Sequence, residues 1–403
     1  MNTQAPPTKV NQLAIRLLLI GRGLRAFVDG YVAILLPVYL LALGLSTLDV
    51  GLLSTATLLG SAALTLAVGA WGHHFALHRL MLAAAVLMAA TGLAFISFDG
   101  FWPLLLVAFV GTLNPSAGDV SVFLPLEHAH IAGATTDINR TSIFARYSLT
   151  GSLAAALGAL CVGVPESLHS LGVEHLNALR WMFIFYALAG VLVFLLYRQL
   201  PPPQVHEELA RPAPLKESRR TVVRIAALFS VDAFAGGLVL NSLLALWLFA
   251  KFDLSLTAAG SFFFWSGLLS AFSQLAAPRV AKRIGLLNTM VFTHIPANIF
   301  LILAALSSTL PLALGFLLLR ASLSQMDVPT RSAYVMSVVT PPERAAAASF
   351  TATPRSLAAA LGPTLGAAMF AAGSLAAPLV LAGCLKITYD LALWRSFRSV
   401  SLK

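Results

Sequence analysis

Long apolar segments constrain this chain more than any other feature of its sequence. A helix needs about 20 mostly apolar residues to cross the hydrocarbon core of a bilayer. Only 10% of the 403 residues are charged, whereas a typical soluble domain has about 25%. Lipid must therefore cover much of the surface. The sequence predicts twelve membrane spans, at about 13–43, 48–71, 80–98, 102–125, 142–164, 179–198, 222–250, 256–278, 286–306, 310–334, 345–372 and 376–396.

The net charge of +10 would suggest a nucleic-acid partner in a soluble protein. Here the basic residues lie in short connections between apolar runs, which is the pattern that sets orientation in a membrane. If the N-terminus is inside, the outer connections carry little positive charge beyond Arg180 and Lys251. We therefore expect a multi-pass protein of the cell inner membrane with both termini cytoplasmic, lipid as its surroundings and no nucleic acid as a partner.

A single long polar stretch divides the chain. Residues 199–221 are rich in proline and charge, as expected of a solvated linker. The predicted organisation is an N-terminal six-helix bundle over residues 1–198, a cytoplasmic linker over 199–221, and a C-terminal six-helix bundle over 222–403.

The two predicted bundles share sequence patterns. Ser-Leu-Ala-Ala-Ala-Leu-Gly occurs at 152–158 and again at 356–362. Two pairs of dipeptides recur in the same order: Val28-Asp29 with Val231-Asp232, and Asp119-Val120 with Asp327-Val328. Parallel repeats of this kind place a substrate site near the membrane midplane, between the two halves.

The connection after the eighth span carries a family resemblance. Residues 278–285 read Pro-Arg-Val-Ala-Lys-Arg-Ile-Gly, similar to the major facilitator loop motif Gly-x-Leu-Ala-Asp-Arg-x-Gly-Arg-Arg. Arg283 and Gly285 match the first Arg and the second Gly of the motif, while Lys282 replaces its Asp. Together with the spans, linker and repeat, the chain resembles the major facilitator superfamily. The resemblance implies an all-α polytopic membrane protein with twelve transmembrane helices in two pseudo-symmetric bundles, working by alternating access, with Arg283 and Gly285 in gating.

Several ionisable residues lie within predicted spans, where each costs on the order of 3 kcal/mol and usually faces a cavity or a partner. Arg25 and Asp29 are four residues apart on the first span, so they share a helix face and can pair. Asp232 occupies the matching place on the seventh span. We expect a site for substrate and protons formed by Arg22, Arg25, Asp29, Asp232 and Asn241; helix packing alone is the alternative for these side chains.

A second group of charges lies towards the inner ends of spans. Arg331 follows Asp327 by four residues and shares its face. We expect inner-gate salt bridges among Asp119, Arg146, Asp327, Arg331 and Arg355, with static packing of helix ends as the alternative.

Other charged residues are expected to have ordinary structural roles. Glu127 lies near a predicted loop and is expected on a solvated face. Lys386 and Asp390 are four apart on the last span, which the family resemblance makes peripheral, so a structural pair is expected there.

The sequence has no Walker loop, nucleophile elbow or His-Glu-x-x-His motif, which removes the main support for ATP-driven transport and for an enzyme. Neither a metal site nor a cofactor is expected. The predicted function is secondary active transport of a small organic solute by a monomer, as proton-coupled efflux. Uptake or exchange of an organic anion, bound by the intramembrane arginines, is the alternative.

Overall fold

The computed structural model describes residues 9–116, 121–135, 137–201 and 215–398. We call residues 9–201 the first half and residues 215–398 the second half. The α-helices of the described ranges are α1 (Lys9–Ala42), α2 (Thr47–Trp71), α3 (Leu77–Ser97), α4 (Phe101–Val110), α5 (Phe123–Ala134), α6 (Asp137–Ala159), α7 (Val164–Ser170), α8 (His175–Arg198), α9 (Arg219–Gly237), α10 (Asn241–Phe252), α11 (Leu256–Ile284), α12 (Leu286–Leu306), α13 (Leu310–Ser324), α14 (Asp327–Val338), α15 (Arg344–Ala371) and α16 (Ala377–Phe397).

The fold is all-α, as the sequence predicts. Within the described residues, nine helical segments are long and apolar enough to cross a membrane. The other three predicted spans also contain helix: the fourth covers α4 and only the start of α5, the tenth covers α13 and most of α14, and the eleventh lies in α15. The fourth and tenth spans are interrupted, so neither contains one helix long enough to cross a bilayer. Helix α15 is long enough, but it carries Arg344 and Arg355.

Apolar side chains cover the outside of the molecule, as lipid contact requires. On α8, Trp181, Phe185 and Leu188 are each about half exposed, and their spacing of three or four residues places them on one face. Met182 and Phe183 on the opposite side are buried. An apolar stripe facing outward would be unfavourable in water, whereas in a bilayer it is the expected surface.

The fourth predicted span is not one continuous helix. Helix α4 ends at Val110, and α5 begins only at Phe123. The sequence between them contains Asn114-Pro115; proline lacks an N–H and disfavours helix in the residue before it. Helices α9 and α10 also meet at a break, and there the backbone N–H of Ser242 donates to the carbonyl of Pro115 at 3.2 Å. The two breaks therefore satisfy part of each other's backbone.

The two halves contact each other at the end of the molecule remote from Lys9 and Phe397. Thr364 donates to Thr55 Oγ1 through its backbone N–H at 3.2 Å and its hydroxyl at 2.8 Å. On the other side of the interface, Glu166 accepts from the backbone N–H groups of Leu256 at 2.6 Å and Thr257 at 3.0 Å. Helix α1 runs from Lys9 to Ala42, and Thr55 lies about two turns into α2, so these contacts are nearer the end opposite the chain termini.

Candidate functional site

The first half buries a carboxylate that we call, with its partners, the Glu127 cluster: Arg25, Glu127, Tyr147 and Tyr197. Glu127 on α5 is fully buried. Both of its oxygens contact the Arg25 guanidinium from α1. The hydroxyls of Tyr147 on α6 and Tyr197 on α8 also donate to it. One carboxylate therefore joins four helices and is neutralised by one cation and two hydroxyl donors.

This cluster corrects two predictions from the sequence. Arg25 forms its ion pair with Glu127 and not with Asp29, and the prediction that Glu127 lies on a solvated face is wrong. The cause is the break in the fourth span: α5 packs against α1 and α6 and turns Glu127 inward. Asp29 is itself buried, at 7% exposed, and has no ion pair within the described residues.

The second half contains a larger group of charges, the Asp232 cluster: Asp232, His294, Arg331, Lys386 and Asp390. Lys386 Nζ on α16 donates to Asp232 Oδ1 on α9 at 2.6 Å. Arg331 Nη1 on α14 lies 3.6 Å from Asp232 Oδ2. His294 on α12 lies 3.0 Å from Asp390 through Nδ1 and 4.0 Å from Asp232 Oδ1 through Nε2. All five side chains are buried.

The predicted Asp327–Arg331 contact is present and joins this cluster. Arg331 Nη2 donates to Asp327 one turn earlier on α14, and its guanidinium lies 5.4 Å from the centre of the Phe229 ring on α9. Arg331 is therefore shared between Asp327 and Asp232, so the residues predicted for the inner gate and those predicted for the site meet at one side chain.

The predicted Lys386–Asp390 pair does not form. Lys386 points to Asp232, where it also contacts the backbone carbonyl at 3.3 Å, and Asp390 pairs with His294. Sequence reasoning assigned no role to His294 and only a local one to Lys386. The sequence did contain a signal for His294, because a histidine lies there within an apolar helix. Its pairing with the charged residues of α16 follows from the packing of α12 against α16.

Further predicted site residues lie around these clusters. Arg22 is buried, and its guanidinium lies 5.1 Å from the centre of the Tyr147 ring. Asn241 is the first residue of α10, at the break of the seventh span. Arg355 on α15 is exposed although it lies close enough to Arg331 to interact electrostatically with it. These positions place Arg22 in the interior, leave Asn241 half-buried and give Arg355 access to solvent.

The remaining gate candidates are not brought together. Arg146 and Arg283 are exposed and have no ion pair in the described ranges, and Asp119 lies outside the described residues. Gly285 separates α11 from α12 with φ +87°, a backbone conformation that favours glycine. In this structure Gly285 therefore has a clear conformational role, while Arg146 and Arg283 show no gate contact.

Two surface cavities lie apart from these clusters. One of about 440 Å³ borders the connection from α11 to α12, including Gly285 and Trp394. The other, of about 550 Å³, lies between Arg219 and Phe350 beside the starts of α9 and α15. Neither is lined by Asp29, Glu127 or Asp232, so we place the candidate site at the buried charges and broken spans.

Comparison with known proteins agrees with this architecture. A family model described as Major Facilitator Superfamily matches residues 18–363. An uncharacterized membrane protein of Saccharomyces cerevisiae, YJR124C, is 26% identical over 429 residues, covering 96% of this chain and 95% of the yeast protein.

Solved structures show the same fold at low sequence identity. A bacterial homologue of the human lysosomal transporter Spinster, inward-facing and unoccupied, has a TM-score of 0.74 at 13% identity, covering 99% of this chain and 100% of that one. The nucleoside transporter NupG has a TM-score of 0.73 at 14% identity, with 96% and 99% covered. The resemblance predicted from the sequence is confirmed: the chain belongs to the Major Facilitator Superfamily.

Proposed function

We propose that this protein is a proton-coupled secondary transporter that exports a small organic solute across the inner membrane by alternating access. The observation that carries the proposal is the pair of buried charge clusters, one in each half, combined with an interface at one end of the molecule. With cytoplasmic termini, the contacted end is the outer one, and this arrangement corresponds to an inward-facing state. Inward-facing states are also named among the structural neighbours.

The broken fourth and seventh spans are the proposed place of solute binding. Their backbones meet at Pro115 and Ser242, and irregular backbone at membrane depth is tolerated where it lines a cavity or is buried in protein. Asn241 begins α10 at this break, and α10 packs against α1, which carries Asp29. In this proposal, Asn241 contributes polar contacts to the solute, while Asp29 and the Asp232 cluster bind protons.

Asp29 suits a proton-binding role because of its surroundings. Its carboxylate is buried, interacts electrostatically with Arg22 and Arg25, and has no ion pair among the described residues. A buried carboxylate without a partner is costly in its charged form, and nearby arginines favour that form. Small movements of Arg22 or Arg25 during alternating access would therefore change whether Asp29 holds a proton.

The inner gate of this proposal uses charges from several helices. Arg331, paired with Asp327, is already in contact with the Asp232 cluster. Arg146 and Arg355 are exposed and thus available to form contacts in the opposite state, together with Asp119 and Arg283. Breaking and forming such pairs is a common way in which packed elements exchange between two arrangements.

Uptake or exchange of an organic anion is the second candidate. Arg320 and Arg355 have no ion pair within the described residues, although both lie in the second half near Asp232. Arginine binds carboxylate and phosphate groups with two parallel hydrogen bonds. The human organic anion transporter MFSD10 shares the fold, with a TM-score of 0.62 at 15% identity. An anionic solute would complete the charge balance of these two guanidinium groups.

Transport in proteoliposomes against a panel of metabolites and drugs, with and without a pH gradient, tests both candidates. Proton-coupled export predicts that a solute accumulates only under the gradient, and that Asp29→Asn removes this accumulation while the protein still inserts. Asp253→Asn is the matched control, because Asp253 is exposed with φ +49°, a conformation that Asn also adopts. Normal transport and pH dependence in Asp29→Asn would reject Asp29 as the proton site; gradient-independent exchange of anions would favour the second candidate.

A further inference from the structure

His294 lies between two carboxylates of different helices. Its Nδ1 is 3.0 Å from both oxygens of Asp390 on α16, and its Nε2 is 4.0 Å from Asp232 Oδ1 on α9. The first distance is that of a hydrogen bond, and the second is too long for one. A neutral imidazole that donates through Nδ1 therefore binds Asp390 and presents an unprotonated Nε2 towards Asp232.

A proton on Nε2 would change the contacts of Asp232. The imidazolium would carry a donor on each nitrogen, one for Asp390 and one directed at Asp232 Oδ1. That oxygen already accepts the bond from Lys386 Nζ at 2.6 Å. Charged His294 and Lys386 would then face the same oxygen, and the repulsion between these two neighbouring cations makes them compete for it.

The groups around His294 make this competition possible without stranding a carboxylate. From α16 it faces Asp390, Lys386 and the Tyr389 ring, whose centre is 6.3 Å away. From α14, Arg331 shares Asp232 and is also bonded to Asp327.

The other elements packed against α12 add no close partner to His294 in the described residues. Helix α13 carries Arg320, which interacts with Asp232. The charged residues of α11 are in its exposed last turns: Arg279, Lys282 and Arg283. The exchange therefore involves His294, Lys386 and Arg331 around one carboxylate.

We propose that His294 is the proton-binding site of the second half, and that its protonation displaces Lys386 from Asp232 and loosens α16 from α9. The proton is taken from water onto Nε2, and no covalent bond between residues changes. Imidazole is suited to this because its charge ordinarily changes between pH 5 and 8. The proposal rests on the proton coupling proposed above, but it concerns α9, α12 and α16, and not the site at Asp29.

Proton binding itself can be observed without knowing the solute. The full-length protein, with ¹⁵N-labelled histidines in lipid nanodiscs, is titrated by NMR from about pH 8.5 to 5.5. The signal that is missing from His294→Gln is expected to change from neutral imidazole to imidazolium. His130→Gln is the matched control, because His130 is equally buried but lies in the first half; it should retain the conversion. A His294 signal that stays in one form throughout would overturn the proposal.

The consequence for the helices is tested by distance measurements between spin labels. Arg220→Cys on α9 and Ser396→Cys on α16 place the labels at exposed positions, with Cys161 and Cys384 replaced by serine. The wild-type network is expected to show a shift of about 1–2 Å or more between high and low pH, and His294→Gln should show none. An equal shift in both proteins would overturn the proposal.

Asp232→Asn separates proton binding by His294 from the movement of α16 relative to α9. It also provides the test if His294→Gln fails to insert. Without the carboxylate, His294 should still bind a proton in the NMR experiment, but the change in label distance should disappear. A persisting change in distance would contradict competition for Asp232. Because neither measurement uses a solute, failure here leaves the vesicle transport assay free to support or reject the proposed function.

Discussion

The two halves each bury a carboxylate, but they neutralise it in different ways. Glu127 is held by one cation and two tyrosine hydroxyls. Asp232 is held by Lys386 and Arg331, with His294 nearby. Arg331 and His294 have second acceptors, whereas the described ion pair of Arg25 is with Glu127. Arg331 and His294 can therefore change partners within the second cluster and still keep one carboxylate each, while loss of Glu127 strands a buried arginine.

The largest expected effect is that of Glu127→Ala. It leaves Arg25, only 2% exposed, without its described carboxylate partner, and breaking a buried ion pair in this way costs about 3–5 kcal/mol. The free energy of unfolding in detergent, measured by denaturant titration, gives the comparison. Glu174→Ala is the control, because Glu174 is exposed on the same half and its side chain bonds only Asn177 among the described residues. A loss below about 0.5 kcal/mol is expected there. Equal losses in the two variants would contradict a structural role for the Glu127 cluster.

Asp232→Asn should destabilise the protein less than Glu127→Ala. Arg331 keeps Asp327 and His294 keeps Asp390, so only Lys386 loses its carboxylate. Because the amide oxygen can still accept a hydrogen bond from Lys386 Nζ, we expect a loss of about 1–3 kcal/mol, below the cost of removing a buried partner altogether. Adding Lys386→Met should recover part of it, since the double variant removes both charges. If the two single effects simply add, Lys386 and Asp232 do not depend on each other.

The all-α fold and its long apolar helices could be predicted from the sequence because lipid imposes a length and an apolar composition on a helix that crosses it. The Asp327–Arg331 contact could also be predicted, since four residues along a helix fix a shared face whatever the fold. These features depend on local sequence alone.

The partners across helices could not be predicted in the same way. Arg25 and Glu127 are 102 residues apart, and Lys386 and Asp232 are 154 apart. Spacing of four residues suggested Asp29 as the partner of Arg25 and Asp390 as the partner of Lys386. Each cation instead pairs with a carboxylate on another helix. Which partner is reached depends on the rotation of each helix and on the break that turns α5, and both are consequences of packing.

Glu166→Gln is expected to weaken the contact between the two halves. Glu166 binds the start of α11 through two backbone N–H groups and the Thr257 hydroxyl at 2.6 Å. Hydrogen bonds to a charged acceptor are about twice as strong as neutral ones. Replacing the carboxylate with an amide should therefore shift the equilibrium between the closed and open states of this interface about tenfold towards the open state, or by about 1.4 kcal/mol. Spin-label distances across α7 and α11 measure that balance. Glu174→Gln should leave it unchanged, and an unchanged balance in Glu166→Gln would show that Thr55–Thr364 and the apolar contacts suffice.

The smallest expected effect concerns Glu343, which tests whether a carboxylate can be held without any cation. Between α14 and α15, Glu343 accepts from the backbone N–H groups of Lys216 at 2.7 Å, Glu217 at 3.0 Å and Ser218 at 2.9 Å. These bonds, that of Lys216 first, lower the pKa of Glu343 from 4.5 to about 2. They thereby fix the chain that leads into α9.

A lowered pKa means that Glu343 binds protons less readily in the folded chain than in the unfolded one. Its contribution to stability is therefore complete above about pH 4.5 and is lost as the pH falls towards about 2. Glu343→Gln removes the charged acceptor at every pH. Amide exchange at residues 216–218 should be faster in Glu343→Gln than in the native chain at pH 6, and the difference should shrink on acidification towards pH 2. Comparing the two proteins at each pH cancels the intrinsic pH dependence of exchange. A difference that stays constant down to about pH 2 would mean that the charge of Glu343 does not hold the start of α9.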